Sequence, residues 1–222
     1  MINHVGIVMD GNRRWAKSKN KKPWEGHREG AKTVDNLLNW AKELEIKELT
    51  LYTLSIENLQ RDKKELDEIF SLFKQWFEKF RKEKRVKEDK IKIRFPGNLN
   101  LIPKEIREMA EEIEEETENH DNYIINFCFA YGGRQELLNV VNKLKSKKGE
   151  ITEKDIEENL WLNSQPDIII RTGGKTRTSN FLPWQSIYSE WFFLDKMWPE
   201  FNKEDLTKCI EKFNKTSRNF GK

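Results

Sequence analysis

Cysteine is scarce in this chain of 222 residues: Cys128 and Cys209 stand far apart with no CxxC spacing. That excludes a disulfide framework, a cysteine-based zinc site and CxxC redox chemistry, and both residues read as reduced, packed thiols. Long hydrophobic runs are missing as well. No stretch approaches the roughly 20 apolar residues that cross a bilayer, and the chain opens straight into a strand-like segment without a signal-peptide pattern. The expected location is the cytoplasm, with peripheral contact to membrane lipid left open. Charge of one sign is absent too: 41 basic residues nearly cancel 38 acidic ones, leaving +3, so no nucleic-acid partner is expected. Internal repeats are absent, and so are the GxxxxGK[ST] and GxGxxG patterns of nucleotide-binding loops.

What is present is an alternation of periods. Apolar strand-like runs at residues 5–9, 49–54, 91–95, 124–130, 168–170 and 187–194 are separated by helical patterns at 32–44, 63–86, 103–119, 134–147, 153–160 and 203–214. Strands alternating with helices over one domain's length predict a single α/β domain, residues 1–222, with a mostly parallel six-stranded sheet flanked by helices. In the second helical pattern Leu66, Ile69, Phe70, Phe73, Trp76, Phe77 and Phe80 form a broad stripe at spacings of three and four. Core packing is the favoured reading of any such stripe taken alone; one wall of an apolar channel is the other.

The first strand-like run stops abruptly: HVGIVMDGNRRW, residues 4–15. A buried parallel strand opening into a polar loop is where α/β folds keep their ligand sites. Asp10 is a hard oxygen donor for a metal, Gly11 allows close backbone approach, and Arg13 and Arg14 are forked donors for phosphate oxygens. GHREG, residues 26–30, puts His27 at an expected helix start, where it is either structural or engaged with an anion. TLSIENLQR, residues 53–61, leaves the second strand as a run of hydroxyl, carboxylate, amide and guanidinium groups, which an ordinary capped loop would also explain. In PDIIIRTGGKTRTSNFLPWQ, residues 166–185, a strand ends at Arg171, two glycines permit a tight turn, and Arg177 and Ser179 follow; this pattern suggests a diphosphate cradle of guanidinium forks, hydroxyls and backbone amides. Glu190 is a carboxylate inside an apolar run, costly there unless it meets solvent, a base or a metal. Two anion-binding clusters with only Asp10 and Glu190 to serve a cation suit a substrate that brings its own negative charge, a diphosphate bridged by Mg2+.

These motifs, HVGIVMDGNRRWAK, GHREGAK, LTLYTLSIENLQR, NFCFAYGGRQELL and DIIIRTGGKTRTSNFLPWQSIYSEWFF, run in the order found in the cis-prenyltransferases, the undecaprenyl and dehydrodolichyl diphosphate synthase family, which the chain resembles over nearly its whole length. The Arg13-Arg14 pair and the SIEN tetrapeptide resemble the archaeal and eukaryotic branch. The resemblance implies that family's fold, with an apolar channel between sheet and helices, and condensation of an allylic diphosphate such as farnesyl or geranylgeranyl diphosphate with isopentenyl diphosphate, with Z double bonds made and pyrophosphate released. By the same resemblance Asp10 ligates Mg2+ and assists departure of the allylic diphosphate, with Gly11, Asn12, Arg13, Arg14, Trp15 and His27 around that group. Arg171, Arg177, Thr178 and Ser179 hold isopentenyl diphosphate, Glu190 completes the metal environment, and Ser55, Ile56, Glu57, Asn58, Leu59 and Arg61 belong to a loop closing over both substrates. Asn58 holds the position usually assigned to proton removal, but a neutral amide is a poor base, and orienting the substrate suits it better. Leu59 replaces the Trp of the bacterial members, Pro23 falls where they often carry a basic residue, and Arg218 to Gly221 is one residue longer than the Arg-x-Gly element that the family donates across its dimer. No DDxxD motif of the trans-prenyltransferases is present. A homodimeric catalyst is expected; a noncatalytic partner subunit or transfer to another acceptor are the alternatives, and the joint presence of Asp10, Arg14, Asn58, Arg171, Arg177 and Glu190 argues against the noncatalytic one.

Overall fold

The computed structural model describes residues 2–216. Six strands, β1 (His4–Val8), β2 (Glu48–Ser55), β3 (Ile91–Arg94), β4 (Tyr123–Tyr131), β5 (Ile168–Arg171) and β6 (Glu190–Phe193), form one sheet in the order β3-β4-β2-β1-β5-β6, and every pairing is parallel. The helices are α1 (Asn12–Ser18), α2 (Pro23–Glu43), α3 (Lys63–Lys82), α4 (Lys84–Glu88), α5 (Lys104–Glu116), α6 (Gly133–Leu144), α7 (Glu153–Glu157) and α8 (Lys203–Lys215). All five residues of β1 are buried, because helices cover both faces of a parallel sheet. Alternate residues divide between two apolar clusters: Ile168, Ile170, Phe127 and Phe129 join the larger one, Ile169 and Cys128 the smaller. This is the period-2 geometry of a strand. Both cysteines are free and buried, and burial pushes their thiols above the ordinary value, Cys209 to about 11.

The structure differs from the sequence expectation at helix boundaries. α2 begins at Pro23, nine residues earlier than expected, so the GHREG segment lies inside the helix. Gly26 and Gly30 look like breaks but serve packing: a Cβ on Gly26 would come within 2.1 Å of the Asn12 carbonyl oxygen, and one on Gly30 within 2.4 Å of Asn12 Oδ1. Only glycine lets α1 and α2 approach this closely. The expected 63–86 helix breaks at Glu83 into α3 and α4. The last strand is shorter than expected, four residues instead of eight. Arg218 to Gly221, the segment resembling the Arg-x-Gly element, lies outside the described residues.

Two features of this fold prepare a site. The register pairs Val8 with both Tyr52 and Arg171, so the loops after β1, β2 and β5 leave the sheet at one edge. From β1 the chain passes to β2 on one side, and from β5 to β6 on the other; the gap between such diverging connections is the usual ligand crevice of an open α/β sheet. Behind it, Glu136 is fully buried and accepts hydrogen bonds from Tyr131 Oη, the amides of Trp161 and Leu162, and Gln185 Nε2. A carboxylate is acceptor-only, which suits four converging donors, and it fixes α6 to the segment that carries residues 171–185.

Candidate active site

Asp10 stands at the crevice, two residues past β1. Its backbone carbonyl accepts from Thr172 Oγ1 at 2.7 Å and from the Trp198 amide at 3.1 Å. Its carboxylate accepts from Arg171 Nη2 at 2.8 Å on one oxygen and from Arg14 Nη2 at 3.1 Å on the other. Burial opposes ionisation of this carboxyl, but the Arg171 and Arg14 donors outweigh it and hold it below the usual carboxylate value. Next to it Gly11 has φ +115°, and a Cβ there would lie 2.7 Å from Met197 Sδ, so both the left-handed backbone and the close approach require glycine.

Arg171 is 3% exposed. Besides Asp10 it donates to Ser179 Oγ at 2.7 Å and to the Arg177 carbonyl, while its buried Nε has no partner among the described residues. Asn12 similarly donates to the Met9 carbonyl and keeps a buried, unpartnered Oδ1. Leaving such atoms unsatisfied is costly, and both belong to residues lining one cavity of 1010 Å³, at the top of the roughly 300–1,000 Å³ range of ligand pockets. At its mouth lie Asp10, Gly11, Asn12, Arg13, Arg14, His27, Ser55, Glu57, Asn58, Arg61, Arg171 and Ser179; deeper in, Ile69, Leu72, Phe73, Trp76, Phe77, Phe95, Phe127 and Phe129 make an apolar lining. The α3 stripe therefore fulfils both of its readings. Phe80 is core and Phe77 is buried while still bordering the cavity, whereas Phe73 packs edge-on against Phe129 at 4.4 Å and Trp76 against Phe127 at 4.6 Å with part of each ring still exposed.

Several expected site residues lie elsewhere. Trp15 is half-buried beneath Lys21 Nζ, 5.3 Å from its ring, and Ile56 and Leu59 do not line the cavity, Leu59 packing on the core instead. Arg177 and Thr178 are exposed and also outside the lining; Arg177 contributes its carbonyl, not its guanidinium. The glycine turn offers no free amides at its tip, because Gly173 N–H donates to the Lys196 carbonyl and Gly174 N–H to the Leu194 carbonyl. Glu190 is paired with Ile168 at the amino end of β5, three residues below Arg171, about 10 Å along the strand. It stands at the opposite end of the sheet from Asp10, and Thr216 Oγ1 donates to it at 3.5 Å. The reason is the direction of β6: the sequence shows a carboxylate in a strand but not which end of the sheet that strand's start occupies.

Other residues in the site were not foreseen. Glu65, in the first turn of α3, is buried and faces Arg13, His27 and Arg61. Asn180 Nδ2 donates to Glu57 Oε1 at 3.0 Å and to Gln135 Oε1 at 3.2 Å, tying the SIEN turn to the segment after β5. Ser55 and Asn58 cap each other across that turn, the Ser55 amide donating to Asn58 Oδ1 at 3.4 Å and the Asn58 amide to Ser55 Oγ at 3.2 Å, so the side-chain oxygen of Asn58 serves the backbone. Asn180 carries a sequence signal only as a turn former, and Glu65 only as a helix-start acid.

Comparison with known proteins bears on this arrangement directly. The prenyltransferase family model described as "Putative undecaprenyl diphosphate synthase" matches residues 8–221. The chain belongs to the undecaprenyl diphosphate synthase family. Members similar to it include the tritrans,polycis-undecaprenyl-diphosphate synthase (geranylgeranyl-diphosphate specific) of Pyrococcus abyssi, 42% identical over 99% of this chain and 86% of that protein, and its counterpart in Methanocaldococcus jannaschii, 39% identical over 99% and 82%. A crystal structure of lavandulyl diphosphate synthase from Lavandula x intermedia in complex with dimethylallyl diphosphate superposes with a TM-score of 0.94 at 28% identity, covering 100% of this chain and 98% of that one. A probable undecaprenyl diphosphate synthase from Campylobacter jejuni gives 0.84 at 30% identity, covering 100% and 99%. As a synthase of this family the chain is a prenyltransferase, a cis-prenyltransferase by activity as well as by fold.

Proposed function

We propose that this chain extends geranylgeranyl diphosphate with isopentenyl diphosphate in a divalent-cation-dependent reaction, giving a Z-polyprenyl diphosphate and pyrophosphate. The observation that carries this reading is the Asp10–Arg171 pair at the polar mouth of an aromatic-lined cavity. The choice of geranylgeranyl diphosphate as primer is supported by the archaeal relatives, which are named as specific for it.

The hydrocarbon tail fits the apolar lining, and the allylic diphosphate fits the mouth, where Arg13, Arg14, His27 and Arg61 supply donors. Arg171 and Ser179 would hold the second diphosphate, placing the double bond of isopentenyl diphosphate toward the allylic carbon. Ionisation breaks the allylic C–O bond, the electron pair leaves with pyrophosphate, the new C–C bond forms, and the proton lost from the isopentenyl unit goes to a diphosphate oxygen. Aromatic walls exclude water from the allylic cation, and donors fixed before reaction stabilise the leaving charge. Asn58, engaged in its cap, shapes the loop and accepts no proton.

No three His, Cys, Asp or Glu side chains converge on a metal position among the described residues. A lone carboxylate ringed by arginines fits Mg2+ that arrives with diphosphate oxygens and water, the usual habit of that ion. Asp10 is the residue that would hold it, and the bound ion would neutralise charge on the departing diphosphate.

A homodimer is supported by large apolar side chains left exposed, Leu138 and Val141 on α6 and Ile187 and Tyr188 before β6. Among the described residues no helix is long and apolar enough to cross a membrane, so delivery of a lipid product to a bilayer would rest on peripheral contact.

Purified protein incubated with farnesyl or geranylgeranyl diphosphate, labelled isopentenyl diphosphate and Mg2+ should form a Z-polyprenyl series, more readily from geranylgeranyl diphosphate. Asp10→Ala should lower turnover about 10²–10³-fold. An inactive wild type, or an Asp10→Ala variant of equal activity, overturns the reading.

A further inference from the structure

The cations at the cavity mouth divide between two carboxylates. Arg14 and Arg171 are held by Asp10. Glu65 holds a different set: its Oε1 lies 3.5 Å from Arg13 Nε, 3.4 Å from His27 Nε2 and 3.3 Å from Arg61 Nη1. Those three bases come from α1, from α2 and from the end of the 3-10 turn (Ile56–Gln60) after β2, three segments that meet at this point.

Glu65 is only 6% exposed. A carboxylate is seldom buried without a partner, and an apolar side chain in its place would have continued the α3 stripe at no such cost. One oxygen shared among three bases leaves the cluster with surplus positive charge. It engages a single nitrogen of each guanidinium, so the rest of each fork is available to an anion. All three bases line the cavity.

We propose that Glu65 is a positioning residue for the allylic diphosphate, its charge holding Arg13, His27 and Arg61 in one array at the cavity mouth. The proposal rests on the reading that these bases receive that diphosphate. Its geometric corollary concerns the tail. Glu65 lies on the same helix as Ile69, Leu72, Phe73 and Trp76, at spacings of four, seven, eight and eleven, which is one helix face. The head-group array and the channel wall are thereby fixed to a single rigid element, with about 16 Å of axial rise between Glu65 and Trp76.

Steady-state kinetics of the full chain with Glu65→Gln and Glu65→Asp test this, alongside thermal melts. Glu65→Gln keeps size and removes charge; the KM for geranylgeranyl diphosphate should rise about tenfold, equivalent to about 1.4 kcal/mol, while that for isopentenyl diphosphate stays within about twofold. Glu65→Asp should recover part of the loss. An allylic KM within about twofold of wild type in the Gln variant, or equal rises for both substrates, overturns the proposal while leaving the assigned activity intact. An inactive wild type overturns the functional reading instead. Should Glu65→Gln fail to fold, Glu65→Asp decides by the same criterion, with an allylic KM raised about threefold expected and equal or absent changes refuting.

Discussion

Glu65 shows how a single ionisable group can be read from its neighbours. The His27 hydrogen bond is the largest influence lowering its carboxyl below the ordinary glutamate value, with burial opposing and the Arg61 and Arg13 charges adding to the effect. A depressed carboxyl contributes stability that is complete above its unfolded value and is lost as pH falls through the folded one. The stabilisation is therefore complete well above about pH 4.3, where unfolded glutamates are half protonated, and is lost as pH falls from there through the lower folded value. Carboxyl carbon shifts followed by NMR should place the Glu65 midpoint below that value in wild type and higher in His27→Ala; an unchanged midpoint would remove His27 from the account. Arg61 behaves in the opposite sense, since burial draws it below its ordinary value while Glu65 raises it. It remains charged throughout, because an arginine has far to fall.

Helix α3 supplies the side chains on which a test of product size can be made. Its Trp76 ring lies tilted against Phe80 at 4.4 Å and donates from Nε1 to Asp35 at 3.4 Å, so the ring is held from two sides where it lines the cavity. Trp76→Ala should lengthen the product ladder by one or more isoprene units, at a stability cost of about 3 kcal/mol, the low end for an aromatic truncation because the ring is half-buried. Product chromatography with an unchanged ladder would show that the ring is not the floor. The stripe was legible in the sequence because 3.6-residue periodicity is a local property. Its double use was not, since the cavity needs Phe95, Phe127 and Phe129 from other elements opposite it. The same limit explains α2 and Glu190. Gly26 and Gly30 look like helix breakers until Asn12 is known to lie against them, and Glu190 looks like a ligand until the parallel register puts it at the sheet's far end. That Asp10 and Arg171 would lie together was legible because strand ends in a parallel sheet share one edge, whereas Ser179 joins them through the loop after β5, by its hydrogen bond with Arg171.

At the scale of the whole molecule, the uncovered apolar side chains on α6 are the feature that one chain alone does not explain. Leu138 and Val141 are 60% and 62% exposed, unusual for adjacent positions on one helix face. Sedimentation should give a dimer for wild type, and Leu138→Asp combined with Val141→Asp should shift it to monomer with the monomer still folded by circular dichroism. A double variant that stays dimeric would place the interface elsewhere. Charged residues make up 36% of the chain, and these two side chains interrupt the surface they would otherwise form.

The parallel order of the sheet also sets when the catalytic centre can exist. Parallel neighbours cannot be joined by a hairpin, and β1 at the middle must wait for β5 before its second edge is covered. Asp10 and Arg171 are 161 residues apart, so a ribosome releases the first long before it makes the second. Contacts of such separation slow folding. The polar mouth that these two residues share is thus absent from the nascent chain until residue 171 has been made and β5 has joined β1.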